Sequence, residues 1–149
     1  MTADDERLID WAAVTRGATL GLGVLAAVSV TDAVLDHSFA HYRNSGWRAV
    51  LFVVILVGYL IAGWTAGHLV PDAGLSNGAL AGIGSVVAWI PVRVAIWLVR
   101  DTGVGLFHGT RAPLVPSQVF GTLVISAGIA MLGGHLGARA AARAGRSSP

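Results

Sequence analysis

The stretch WRAVLFVVILVGYLIAGWTAGHLV, residues Trp47–Val70, decides the fold. From Ala49 to Ala62 nothing more polar than Gly58 and the phenol of Tyr59 interrupts it. A helix on a soluble core shows a polar face opposite an apolar stripe; one that is apolar all round is buried or lies in lipid. As an α-helix this stretch spans about 36 Å, enough to cross a hydrocarbon core of ~30 Å. Three further apolar runs flank it, at about residues 11–35, 78–99 and 119–138. None alternates with a period of two, which argues against membrane strands. The sequence therefore predicts an all-α, integral membrane four-helix bundle, with residues 1–149 forming one transmembrane domain.

Composition agrees. Only 12% of the residues are charged, against about 25% in a soluble domain, and mean hydropathy is +0.69. The absence of cysteine excludes disulfides and thiolate metal sites. A net charge of +2 without a basic stripe gives no footprint for nucleic acid. The opening MTADDER is acidic where a secretory signal is basic, so the first span is expected to remain as an anchor. Trp11, Trp47 and Trp97 fall near span ends, where indole rings favour the headgroup region, while Trp64 and Trp89 lie deeper. Arg7, Arg16, Arg139, Arg143 and Arg146 share one side, and Arg43, Arg48, Arg100 and Arg111 the other. The arginine-rich tail orients the chain with both termini cytoplasmic, as a multi-pass protein of the cell membrane.

An internal repeat runs through the spans. GATLGLG at Gly17–Gly23 matches GALAGIG at Gly78–Gly84 at an offset of 61 residues, and GWTAGH at Gly63–His68 matches GHLGAR at Gly134–Arg139 at 71. This predicts a 2+2 parallel repeat whose pseudo-twofold axis runs along the membrane normal. The pairs Gly17/Gly21, Gly63/Gly67, Gly78/Gly82 and Gly133/Gly137 are small-xxx-small patterns, which let helix backbones approach closely in lipid. They serve packing within the bundle or a homo-oligomer.

The motifs AGWTAGH at Ala62–His68 and SNGALAG at Ser76–Gly82 resemble a signature of small four-span bacterial membrane proteins: A-G-x-x-A-G and a basic residue, a short turn, a polar pair, then G-A-L-x-G. The likeness covers these motifs and, loosely, the four-span plan. His68 stands where that family carries Arg or Lys. The family has no assigned activity, so the resemblance implies a topology only.

Asp32 and Arg93 are the candidate functional residues. Each follows the first glycine of its repeat by 15 residues, about 60° from the glycine stripe and so on the packing face. An isolated charge deep in a bilayer costs about 2.5–3.5 kcal/mol on insertion scales. An Asp32–Arg93 ion pair between the two halves would offset this. Pro91 removes a donor to the carbonyl of Val87 and should kink its helix. His37 and His41 are four residues apart with Asp36 beside them, and His108 is expected on the same side, too small a set for a structural zinc site. His68 and His135 lie near the opposite surface, and residues 100–117 form the longest connection, carrying Arg100, Asp101, His108 and Arg111.

Gly82-Ile83-Gly84-Ser85 has no base at a recognisable spacing, and no phosphate-binding loop occurs. No enzyme, cofactor or metal is expected. The sequence points to a structural or accessory membrane component whose partners are the lipid bilayer and a homo-oligomer or larger membrane complex. A small oligomeric transporter or channel, with Asp32 and Arg93 near its path, is the alternative.

Overall fold

A computed structural model describes residues 9–39, 42, 45–100 and 114–145. Four helices run α1 Trp11–Ser38, α2 Trp47–Leu69, α3 Gly74–Arg100 and α4 Pro116–Ala144, and a 3-10 turn, Pro71–Ala73, joins α2 to α3. All four are long and apolar enough to cross a membrane. His41, Arg43, Asp101, His108, Arg111 and Arg146, with Arg7 and most of the 100–117 connection, lie outside the described residues.

The helices outrun the apolar spans. α1 continues to Ser38, α3 begins at Gly74 rather than near Gly78, and α4 extends from Pro116 to Ala144. Hydropathy marks the part in hydrocarbon, whereas the backbone keeps its internal hydrogen bonds beyond it. Local chemistry sets the ends. The Asp10 carboxylate caps α1 by accepting from the N–H groups of Ala12 at 2.8 Å and Ala13 at 3.0 Å. Pro116 opens α4, where its missing N–H has no cost. α3 stays helical through Pro91, which is exposed.

The chain runs up and down, so the start of α1, the end of α4 and the α2–α3 turn share one end, the terminal end. The end of α1, Tyr42, and the starts of α2 and α4 lie at the far end. α2 and α3 touch along the middle; α1 packs on both from one side and α4 on both from the other. Among the described residues α1 and α4 have no comparable packing against each other. A twofold exchanging the two hairpins would make the α2–α3 and α1–α4 contacts equivalent, so the expected axis through the whole bundle is absent. The repeat survives within each hairpin: Gly17 and Gly21 face Ala62 of α2 as Gly78 and Gly82 face Ala130 of α4.

A local twofold does relate α2 to α4. Gly63 faces Ala130 and Gly67 faces Gly134, while Gly133 faces Leu60 and Trp64, and Gly137 faces Trp64 and His68. These pairs exchange under an offset of 70 residues, so Gly63 corresponds to Gly133 and not, as the sequence match suggests, to Gly134. A methyl carbon on Gly63 would lie 2.7 Å from the Cα of Ala130, and one on Gly67 2.6 Å from that of Gly134. Only glycine admits that approach.

The rest of the core is also small. Ala62, Ala66, Ala81 and Ala130 are fully buried, and one larger cluster of Leu25, Tyr59 and Val86 sits around Ala130, flanked by Leu56 and Trp89. Large apolar side chains point outward instead, among them Phe52, Val53, Val57, Phe120, Val124 and Leu132. In water that surface would be unstable; in lipid it is solvated.

Candidate functional site

Asp32 lies on the bundle-facing side of α1, on the line of Gly21, Leu25 and Val28, and is half-buried. Its partner comes from the link between α1 and α2. The Tyr42 hydroxyl donates to Asp32 Oδ1 at 2.6 Å, a charge-assisted bond at the short end of the range. Tyr42 is 2% exposed, and the guanidinium of Arg48 stands 5.8 Å from its ring centroid, within cation–π reach. Burial, then the bond to Asp32, pushes the Tyr42 phenol up to about 12. It therefore stays a donor at neutral pH and ties the far-end link to α1.

Arg93 is half-buried on α3 and belongs to another face. It continues the line Gly82, Val86, Trp89 at helical spacing. Gly82 faces Ser126 and Ala130 of α4, whereas α1 is met by Ala81 and Ser85. The Asp32–Arg93 ion pair expected from the sequence is accordingly not formed: among the described residues no ion pair joins them, and Asp32 holds Tyr42 instead.

Two further polar contacts escaped the sequence reading. Asn77 is fully buried, and its Oδ1 accepts the backbone N–H of Asp10 at 3.0 Å, clasping α3 to the start of α1. Its Nδ2 has no partner among the described residues. The Ser85 hydroxyl is shared between the carbonyls of Ala81, at 2.8 Å on its own helix, and Ala18, at 3.2 Å on α1. The only clue to Asn77 was its place in the polar pair before Gly78. Ser85 sits where a Cβ on Gly21 would fall, so the glycine leaves room for this hydroxyl.

The other sequence candidates are dispersed. His37 is exposed on α1, near Ser38 and Ile96. His68 stacks on Trp64, ring centroids 5.0 Å apart and planes 13° from parallel; His135 is exposed on α4. Among the described residues no three metal-binding side chains gather. A groove of about 450 Å³ runs over α1 along Ser29, Ala33 and His37, lined mainly by apolar atoms.

Comparisons with protein-family models, with curated proteins and with solved structures find no match. The fold itself defines the class: a small polytopic membrane protein with four spans.

Proposed function

We propose that this protein is a non-enzymatic structural or accessory component of the cell membrane, with both termini in the cytoplasm, akin to the small four-span bacterial proteins its motifs resemble. One observation carries this reading. α2, α3 and α4 meet backbone to backbone at Gly63, Gly67, Gly78, Gly82, Gly133 and Gly137. A bundle so closed at its centre is suited to act as a rigid body and poorly suited to enclose a solvated site. The hydroxyls of Ser85 and Ser126 are taken up by nearby backbone carbonyls, so neither is poised for chemistry. The eight motif glycines face neighbouring helices of the same chain, so partners, whether further copies or a larger complex, would meet the outward apolar faces.

The test is native mass spectrometry of the protein extracted gently from its own membrane. A different protein retained at fixed stoichiometry supports an accessory subunit. A monomer retained alone, from several mild detergents, would sink the reading.

The second reading, a small oligomeric transporter or channel, draws on Arg93. It is half-buried within a span and, among the described residues, forms no ion pair, and intramembrane charges often border ion paths. A homo-oligomer whose flux is abolished by Arg93→Gln would favour it.

A further inference from the structure

The glycine contact between α2 and α4 also shapes their outer surface. Gly63 and Gly67 turn toward α4, and Gly133 and Gly137 toward α2. Ala62 and Ala66, on the other flank of α2, face into the bundle and are fully buried. At 100° per residue, Trp64 and His68 therefore border the α2–α4 seam on its outward side. On α4 the outward flank carries Leu132, Leu136, Arg139 and Arg143. Trp64, Leu132 and Leu136 are 43–58% exposed, and His68, Arg139 and Arg143 are exposed as well. The seam is shallow at its floor, because glycines line it, and apolar along its length.

Its terminal end is basic. α4, with 29 residues, is about 43 Å long, so its last turns leave a hydrocarbon core of ~30 Å. Arg139 and Arg143 are one turn apart on that emerging segment, and His68 is level with Gly137 on the neighbouring helix. Among the described residues two carboxylates share this end: Asp72, exposed on the 3-10 turn that touches α4, offsets part of the charge, while Asp10, at the start of α1, is engaged in capping that helix.

We propose that the α2–α4 seam is a binding site for an anionic phospholipid. The acyl chain lies along Trp64, Leu132 and Leu136. The headgroup phosphate meets the guanidinium groups of Arg139 and Arg143, and the imidazole of His68 offers a further donor. Charge complementarity selects the occupant: a zwitterionic lipid would fill the apolar seam equally well but brings no net charge for two arginines. Each basic group at a membrane surface strengthens binding of anionic lipid about fivefold.

The test uses the full-length protein in detergent with an equimolar mixture of phosphatidylglycerol and phosphatidylcholine of matched chains, bound lipid being counted by native mass spectrometry. The wild type should retain phosphatidylglycerol in clear preference. The double variant Arg139→Gln/Arg143→Gln should lose at least about tenfold of that preference, with helicity unchanged by circular dichroism. Arg16→Gln removes a charge from the same end but on α1, away from the seam, and should keep the preference. Equal retention of the two lipids by the wild type would overturn the site. So would a loss in Arg16→Gln as large as in the double variant, since charge alone would then explain the binding.

Discussion

The hydroxyl of Tyr42 donates to Oδ1 of Asp32 at 2.6 Å, from a position ten residues further along the chain. This bond gives the half-buried carboxylate its partner without any help from Arg93. Removing it by Tyr42→Phe should destabilise the bundle by about 1–3 kcal/mol, the range for losing a hydrogen bond to a charged group. A double-mutant cycle over Tyr42→Phe and Asp32→Ala should show coupling, read from unfolding midpoints in mixed detergent micelles. The same cycle over Asp32→Ala and Arg93→Ala should give a coupling near zero. Exchanging the charges, Asp32→Arg with Arg93→Asp, should rescue neither single reversal. A rescued double variant would restore the ion pair that the sequence spacing suggests.

The same bond makes a pH prediction. The phenol is pushed up to about 12 by burial first and by Asp32 second. A raised value means that the folded state holds the proton more tightly than the unfolded chain, whose tyrosine ionises near 10. The stabilisation is thus complete below about pH 10 and is lost as pH rises through 12. In a Tyr59→Phe background, tyrosinate absorbance should report Tyr42 alone and appear near pH 12. Asp32→Asn should lower that midpoint only part of the way toward 10, because burial is the larger cause. A wild-type midpoint near 10 in folded protein would mean that the phenol is neither buried nor engaged.

The four spans were legible because lipid imposes its own pattern: Ala49–Ala62 has no polar face, so it is buried or lies in lipid, and three further long apolar runs leave too little polar chain to bury it. The packing glycines were legible as motifs, but not their partners. A small-xxx-small pair reports that something approaches, while Gly63 gives no sign that it meets Ala130 rather than another copy. The repeat offsets located equivalent residues in each hairpin, yet symmetry of sequence did not carry over into symmetry of packing, since α2 meets α3 where α1 misses α4. The 15-residue spacing puts Arg93 on the glycine-bearing side of α3 but carries no information on which helix that side meets. Tyr42 left no signal, because a single tyrosine in a polar link reads equally well as an interfacial residue.

The glycines separate into two groups whose variants should move in opposite directions. A Cβ on Gly63 or Gly133 would strike the main chain of the facing helix, at Ala130 and Leu60 respectively. Main chain cannot swing aside as a side chain can, so Gly63→Ala and Gly133→Ala should each cost about 1–3 kcal/mol. Gly23 and Gly128 have nothing within 4 Å of a built Cβ. Gly23→Ala and Gly128→Ala should leave stability unchanged or raise it by up to ~1 kcal/mol, through better helix propensity. Detergent-induced unfolding of all four variants checks the contrast. A loss at Gly23 or Gly128 equal to that at Gly63 would point to a second helix packed on the outer surface, and so to an oligomer.

Asn77 tests whether the clasp between α1 and α3 depends on its shape or on its amide. Its Oδ1 holds the N–H of Asp10, while its buried Nδ2 has no partner among the described residues. Leucine would forfeit the one bond but also remove the orphaned donor, two effects of opposite sign and of about 1 kcal/mol or a little more each. Asn77→Leu should therefore lie within about 1.5 kcal/mol of the wild type. Aspartate keeps the acceptor but buries a charge close to the carboxylate of Asp10, and a buried charge without a counter-ion is far more costly than a lost hydrogen bond. Asn77→Asp should be the least stable of the three at neutral pH. Its carboxyl, raised by burial, favours the proton in the folded state, so the deficit should shrink as pH falls. If Asn77→Leu unfolds before Asn77→Asp at pH 7, the acceptor alone holds the clasp and the space around Asn77 is polar enough to hydrate a charge.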